Sequence, residues 1–178
     1  MKQTCLMLGA GHGVPRRRVV SPMSAPEDQT VWKTLDINPA AKPDEVFDLE
    51  NLEYGYSLPF KIETFDEIHA YEVLEHFGRQ GNYKGLFSTF QALWKGLKPG
   101  GLLVGTCPSL QSPWLWAEPG HVRAIAQGTL AFLTRSHYDQ LGETACSDYR
   151  AYVDHYWWEI EHSEDDGNNY VFVLRKSK

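Results

Sequence analysis

Gly9-Ala10-Gly11-His12-Gly13 directly follows the apolar run Leu6-Met7-Leu8, and Asp36 stands 23 residues after the last of these glycines. Glycines without a Cβ let a ligand approach the backbone closely at the carboxyl end of a strand. A carboxylate at the end of the next strand can accept both hydroxyls of a ribose. Loop and acid together suit an adenosine-type ligand. The glycines alone would serve equally well as a tight turn, and the spacing of Asp36 is what separates the two readings.

Adenosine occurs both in NAD and in S-adenosylmethionine, and the chain between loop and acid distinguishes them. A dinucleotide sets its pyrophosphate on the N-terminus of a helix. From Val14 to Thr30 the chain instead carries Pro15, Pro22 and Pro26 around Arg16-Arg17-Arg18, with no sustained helical period. A full first helix is therefore not expected. S-adenosylmethionine has no phosphate and needs no such helix, so the segment favours the methyl donor. Its sulfonium is a cation, which suits Tyr71 and Glu72 near a strand end. The arginine run is expected to be solvated, or to guide an anionic acceptor.

The elements that would position these residues alternate along the chain. Thr4–Leu8, Val31–Ile37, Glu45–Leu49 and Thr64–Tyr71 read as short strands. A helix is expected from Asn82, because Leu86, Phe87, Phe90, Leu93, Trp94 and Leu97 fall on one face, with Lys98-Pro99-Gly100-Gly101 as its stop. Leu102–Cys107 reads as the fifth strand and Pro108–Val122 as a long loop. Helical turns are expected at Thr129–Leu133 and Ser136–Leu141. Val153–Glu161 and Tyr170–Arg175 read as strands joined through the turn Asp165-Asp166-Gly167-Asn168-Asn169. This order implies one α/β domain over residues 1–178: a Rossmann-like, mostly parallel seven-stranded sheet with a C-terminal antiparallel hairpin and helices on both faces.

Bulk properties narrow the function classes. A chain of 178 residues, 42% hydrophobic, suits a single core. A net charge of -6 argues against a broad nucleic-acid or anionic-membrane surface. Cys5, Cys107 and Cys146 have no metal-ligand spacing and read as buried thiols of a reducing compartment. The apolar run after Met1-Lys2 stops at Gly9, far short of a secretory leader, and no membrane-spanning run appears. A cytoplasmic protein is the expectation. Trp157-Trp158, Tyr152 and Tyr156 are expected to pack the hairpin, and any exposed fraction would suit contact between copies of the chain.

The series LMLGAGHG, TLDINP, VFDLENL, LPF, FDEIHAYEVLEHF and LWKGLKPGGLLVGTCPS resembles, in this order, the class I S-adenosylmethionine-dependent methyltransferases, in particular small members with a shortened first helix. The resemblance spans Cys5 to Ser109. It implies that Gly9, Gly11 and Gly13, with Ala10 between them, form the loop on the methionine side, and that Asp36 holds the ribose with Ile37 flanking the adenine. It further implies that Asp48 and Leu49 contact the adenine, that Tyr71 and Glu72 pass beneath the methionine portion, and that Glu75-His76 begin the next helix. S-adenosylhomocysteine would be the product. The chain departs from the pattern in lacking an acid before the first glycine and in carrying His12 and Pro15 in the loop.

Methyl transfer is an in-line attack that proximity can largely drive, so a base is needed only where the acceptor must lose a proton. The 108–123 segment is expected to overhang the acceptor site as a lid, with Trp114, Trp116, Glu118, His121 and Arg123 in it. His121 is the candidate general base; the plainer expectation is that it bonds a carbonyl and that both tryptophans pack on the core. The Asp/Asn-Pro-Pro-aromatic motif of DNA amino-methyltransferases is absent, since His69-Ala70-Tyr71-Glu72 stands there, and Cys107-Pro108 has the wrong order for cytosine-carbon chemistry. A small or other non-DNA acceptor is expected. The alternatives are a non-catalytic module that binds S-adenosylmethionine and, further off, an NAD-dependent oxidoreductase. No metal site is expected, because the seven histidines are scattered.

Overall fold

The computed structural model describes residues 2–52 and 56–177. Seven strands form one sheet: β1 (Gln3–Leu8), β2 (Thr30–Asp36), β3 (Glu45–Val46), β4 (Phe65–Tyr71), β5 (Leu97–Pro108), β6 (Trp158–Asp165) and β7 (Asn169–Lys176). Their order is β3-β2-β1-β4-β5-β7-β6. β7 runs antiparallel to both neighbours and every other pairing is parallel. From the central β1 the chain steps outward to β2 on one side and later returns to β4 on the other. The crevice at the carboxyl ends of β1 and β4 is the place where such sheets bind ligands.

Alternation along the strands sends two different populations to the two faces. Leu6, Leu8, Leu35, Ile68, Ala70, Leu103, Phe172 and Leu174 join the larger core. Helices α1 (Tyr83–Gly96), α3 (Gln127–Ala131) and α4 (Arg150–Val153) cover it through Phe87, Phe90, Leu93, Leu130 and Val153. Asn82 caps α1 by accepting the Gly85 N–H at 3.0 Å, which fixes where the expected helix starts.

The third strand stops at Val46 rather than Leu49, and two further boundaries differ from the sequence reading in ways that matter for packing. Lys98-Pro99-Gly100-Gly101 does not separate helix from strand: α1 ends at Gly96, Leu97 already pairs with Phe65, and Leu102 pairs with Glu67. Four residues thus bulge opposite Asp66 alone, with Gly100 in the left-handed region at φ 74°. Val153 ends α4 rather than opening a strand, and β6 begins at Trp158. The aromatic residues before it serve helix packing instead, with Tyr149 and Tyr152 against Phe87 of α1.

The opposite face holds a smaller apolar group, Met7, Tyr71, Leu102, Val104 and Val173. The helical layer expected over it is reduced to one 3₁₀ turn, Glu27–Gln29. Residues 14–29 lie there as irregular chain, anchored by Arg17, whose side chain is only 3% exposed. Arg17 donates through Nε to Glu67 at 2.7 Å, and through its terminal nitrogens to Ala25 O, the Thr30 hydroxyl, Gln3 Oε1 and the Cys5 thiol. The expectation of a solvated arginine run is therefore corrected at Arg17. A planar fork with five donors can satisfy a buried polar patch that a helix of apolar residues could not.

Glu67 and His69 alternate on β4 and share this face. Burial alone would raise the Glu67 carboxyl, but hydrogen bonds from His69, Ser24 and Arg17 hold it down at about 2. The Tyr71 hydroxyl takes the N–H groups of Arg18 and Val19 and meets His69 Nδ1 at 2.7 Å. Since His69 Nε2 faces a carboxylate, that nitrogen carries the proton and Tyr71 donates to Nδ1.

Candidate functional site

The glycine loop and its acid meet at the crevice. Gly9 leaves β1 at φ 58° and donates to Leu35 O at 2.9 Å; a Cβ there would lie 2.6 Å from Val73 Cγ2. Gly11, at φ 56°, gives its N–H to Asp36 Oδ2 at 2.8 Å, and Asn38 gives its own to Oδ1 at 2.8 Å. Asp36 is nearly buried, and each oxygen keeps a lone pair for a further donor. A Cβ on Gly11 would meet nothing within 4 Å, so open space lies over the loop. Ala10 packs against the smaller core, while Gly13 and Ile37 are exposed.

The remaining sequence-derived positions divide. Asp48 Oδ1 caps the turn Leu49–Asn51 through the Glu50 N–H, and Leu49 is core. The Tyr71 side chain lies on the face of residues 14–29, where its hydroxyl accepts the Arg18 and Val19 N–H groups, in the same small apolar group that Ala10 of the loop packs against. Glu72 follows β4 in the left-handed region at φ 55°, its N–H bonded to Thr106 O. No α-helix follows Gly13 before β2, so the dinucleotide reading lacks the helix terminus it requires.

Past Glu72 a single 3₁₀ turn, Leu74–His76, carries the next polar group. Glu75 is fully buried, and neither carboxylate oxygen has a nitrogen or oxygen donor. Burial, with the negative charge of Glu72 added, raises its carboxyl to about 7. The neighbouring Cys107 thiol is pushed well above its usual range by burial and by Glu75.

The 108–123 segment is pinned onto that turn. Val122 and Arg123 both donate backbone N–H groups to Glu75 O, at 2.9 and 3.2 Å. His121 places Nδ1 3.1 Å from both Trp114 O and Leu115 O, and Nε2 3.8 Å from Glu75 Oε1, with 7% of its side chain exposed. The His76 and His121 rings stand 4.7 Å apart, edge to face, and His76 Nδ1 meets Gly120 O at 3.1 Å. Chain reversal after β5 returns position 121 to position 75, so that two of the seven histidines scattered along the sequence meet here.

Other residues of this segment also differ from expectation. Arg123 is buried and donates to the carbonyls of Gly78, Arg79 and Asn82. Trp114 and Trp116, expected on the core, both lie on the one-turn helix α2 (Trp114–Ala117) and are 67% and 61% exposed.

No protein-family model and no curated protein sequence matches the chain significantly. Solved structures do. The N-methyltransferase NodS from Bradyrhizobium japonicum WM9, in complex with S-adenosyl-L-homocysteine, superposes with a TM-score of 0.58 at 14% identity over 99% of this chain and 79% of that one. A methyltransferase from Mesorhizobium loti gives 0.54 at 15% identity over 98% and 91%. The [4+2]-cyclase SpnF gives 0.61 at 15% identity over 99% and 75%. Among the described residues no helix is long and apolar enough to cross a membrane. With its strand order, lone antiparallel strand and glycine loop at the switch point, the chain has the Rossmann-like fold that these methyltransferase and cyclase structures share.

Proposed function

We propose that the chain is an S-adenosylmethionine-dependent methyltransferase acting on a small-molecule or other non-DNA acceptor. The observation that carries this reading is the 2.8 Å bond from Gly11 N–H to the Asp36 carboxylate, which joins loop and acid at the switch point of the sheet. The residues fit the donor: space over Gly11 admits its amino-acid portion, and Asp36 retains lone pairs for the ribose hydroxyls. Ile37, exposed beside Asp36, is our candidate for lying against the adenine. Asp48 and Leu49 offer it backbone groups, since the Leu49 side chain is in the core. When bound, the donor supplies an electrophilic methyl group on a positively charged sulfur.

The chain's own part is orientation and the exclusion of water. Trp114 and Trp116 present flat apolar surface on the segment that overhangs the crevice, which suits an aromatic or apolar acceptor. An acceptor that must lose a proton would meet Glu75 and His121 as a pair. The His121 Nδ1 faces two carbonyls, which only accept, so it carries the proton and Nε2 holds the lone pair. Acting alone as a base fits His121 less well, because that lone pair is directed to Glu75.

Calorimetry with S-adenosylmethionine and S-adenosylhomocysteine tests the reading. Asp36→Ala removes a charged acceptor worth about 1.5–3 kcal/mol, so affinity should fall about tenfold to a hundredfold. Transfer of labelled methyl to a panel of acceptors is then expected. Absence of binding by the intact chain would sink the proposal. A fold shared with a cyclase makes the transfer assay indispensable, since fold alone does not fix the reaction.

A further inference from the structure

We infer that Glu75, His76 and His121 form a binding site for one divalent transition-metal cation of the zinc, cobalt or iron(II) type. Each offers one ligand atom, and the three atoms lie within 4.8 Å of one another. Ligands about 2.1 Å from a shared tetrahedral ion stand roughly 3.4 Å apart, so small side-chain shifts close the set. The Glu75 carboxylate is fully buried with no nitrogen or oxygen donor on either oxygen and only the weak Cys107 thiol as a hydrogen-bonding neighbour, although buried carboxylates otherwise find strong donors. A cation is the partner such a group lacks.

The histidines carry the accompanying feature. A ring that ligates through one nitrogen normally gives the N–H of the other to a carbonyl or carboxylate, which sets its tautomer and orientation. Both rings do so here: His76 through Nδ1 to Gly120 O, His121 through Nδ1 to the carbonyls of Trp114 and Leu115. Each Nε2 is left with its lone pair. Gly120 is required for this, since a Cβ would stand 2.9 Å from His76 Nδ1. Glu72 adds negative charge to the same space.

Two imidazoles and one carboxylate favour zinc, cobalt or iron(II) over magnesium or calcium, which take oxygen ligands. The other close grouping, Cys5, Glu67 and His69, is not a rival. Arg17 occupies it, bonded to both the carboxylate and the thiol. Three protein ligands leave a coordination position open toward the crevice. An acceptor oxygen bound there would be activated by the ion, with His121 as ligand in place of its role in the pair. Only this last step rests on the methyltransferase reading.

The test uses the full chain stripped with chelator, titrated with Zn²⁺ by calorimetry and with Co²⁺ by visible absorption. The expected result is one ion per chain and ligand-field bands of a nitrogen–oxygen site, with no sulfur-to-metal charge-transfer band. Glu75→Gln, His76→Ala and His121→Ala should each weaken binding about tenfold or more, while Cys5→Ser binds as the parent does. Far-ultraviolet circular dichroism checks each fold; should Glu75→Gln unfold, the half-buried His76→Ala variant still decides. No binding by the folded chain, a sulfur charge-transfer band, or parental affinity in the His76→Ala/His121→Ala double variant overturns the site. S-adenosylhomocysteine affinity measured on the same samples separates failure of the metal site from failure of the methyl-donor reading.

Discussion

Arg17→Met keeps the length and apolar stem of the side chain but removes its charge and all its donors, leaving Glu67 buried with His69, Ser24 and the weakly donating Cys5 thiol. Two routes give the cost. Breaking one partner out of a buried ion pair costs about 3–5 kcal/mol. A buried carboxyl held at about 2 rather than 4.5 corresponds to ~3 kcal/mol of preference for the charged form, of which Arg17 supplies a part. For a chain of this size the loss lowers Tm by on the order of 10 °C. Because the Glu67 carboxyl is depressed, its contribution is present above pH 4.5 and fades as pH falls toward 2. The variant should lose part of that acid sensitivity along with its stability, and Arg17→Met/Glu67→Gln should recover much of the loss. Urea titrations of the parent and variants across pH 2–7 measure both effects. A cost below about 1 kcal/mol, or a double variant no better than the single, would refute the view that this pair clamps residues 14–29 onto the sheet.

Three further outcomes follow from particular contacts. Gly105→Ala should destabilise by about 1–3 kcal/mol or more, because its Cβ would stand 2.2 Å from Phe172 Cζ in the core; a neutral urea midpoint would contradict the packing. Tyr71→Phe strands the Arg18 and Val19 N–H groups and His69 Nδ1, at a cost of about 1–3 kcal/mol, yet should leave S-adenosylhomocysteine affinity unchanged. A large fall in that affinity with unaltered stability would restore Tyr71 to the donor site. Trp114→Ala/Trp116→Ala should shift stability by no more than ~0.5 kcal/mol while raising KM for an apolar acceptor; an unchanged KM would remove the pair from the acceptor surface.

What the sequence disclosed depends on the range of the interaction concerned. Strand positions followed from apolar runs, and α1 from its period, because both are local patterns. The absent first helix was legible in three prolines. Its replacement was not: a run of arginines looks solvated until a carboxylate fifty residues away is brought against it. The signal available was Glu67 and His69 alternating within an otherwise buried strand, which places two polar groups on one covered face and demands a partner. The same reasoning applies at the crevice. Glu75 and His76 were visible as neighbours, but His121 joins them only because Val122 and Arg123 donate to the Glu75 carbonyl. Spacing along the chain is blind to a ligand set that is closed by tertiary hydrogen bonds. A buried carboxylate without a strong donor marks such a set where spacing cannot, and here it lies on the turn after β4 rather than beneath the arginine clamp.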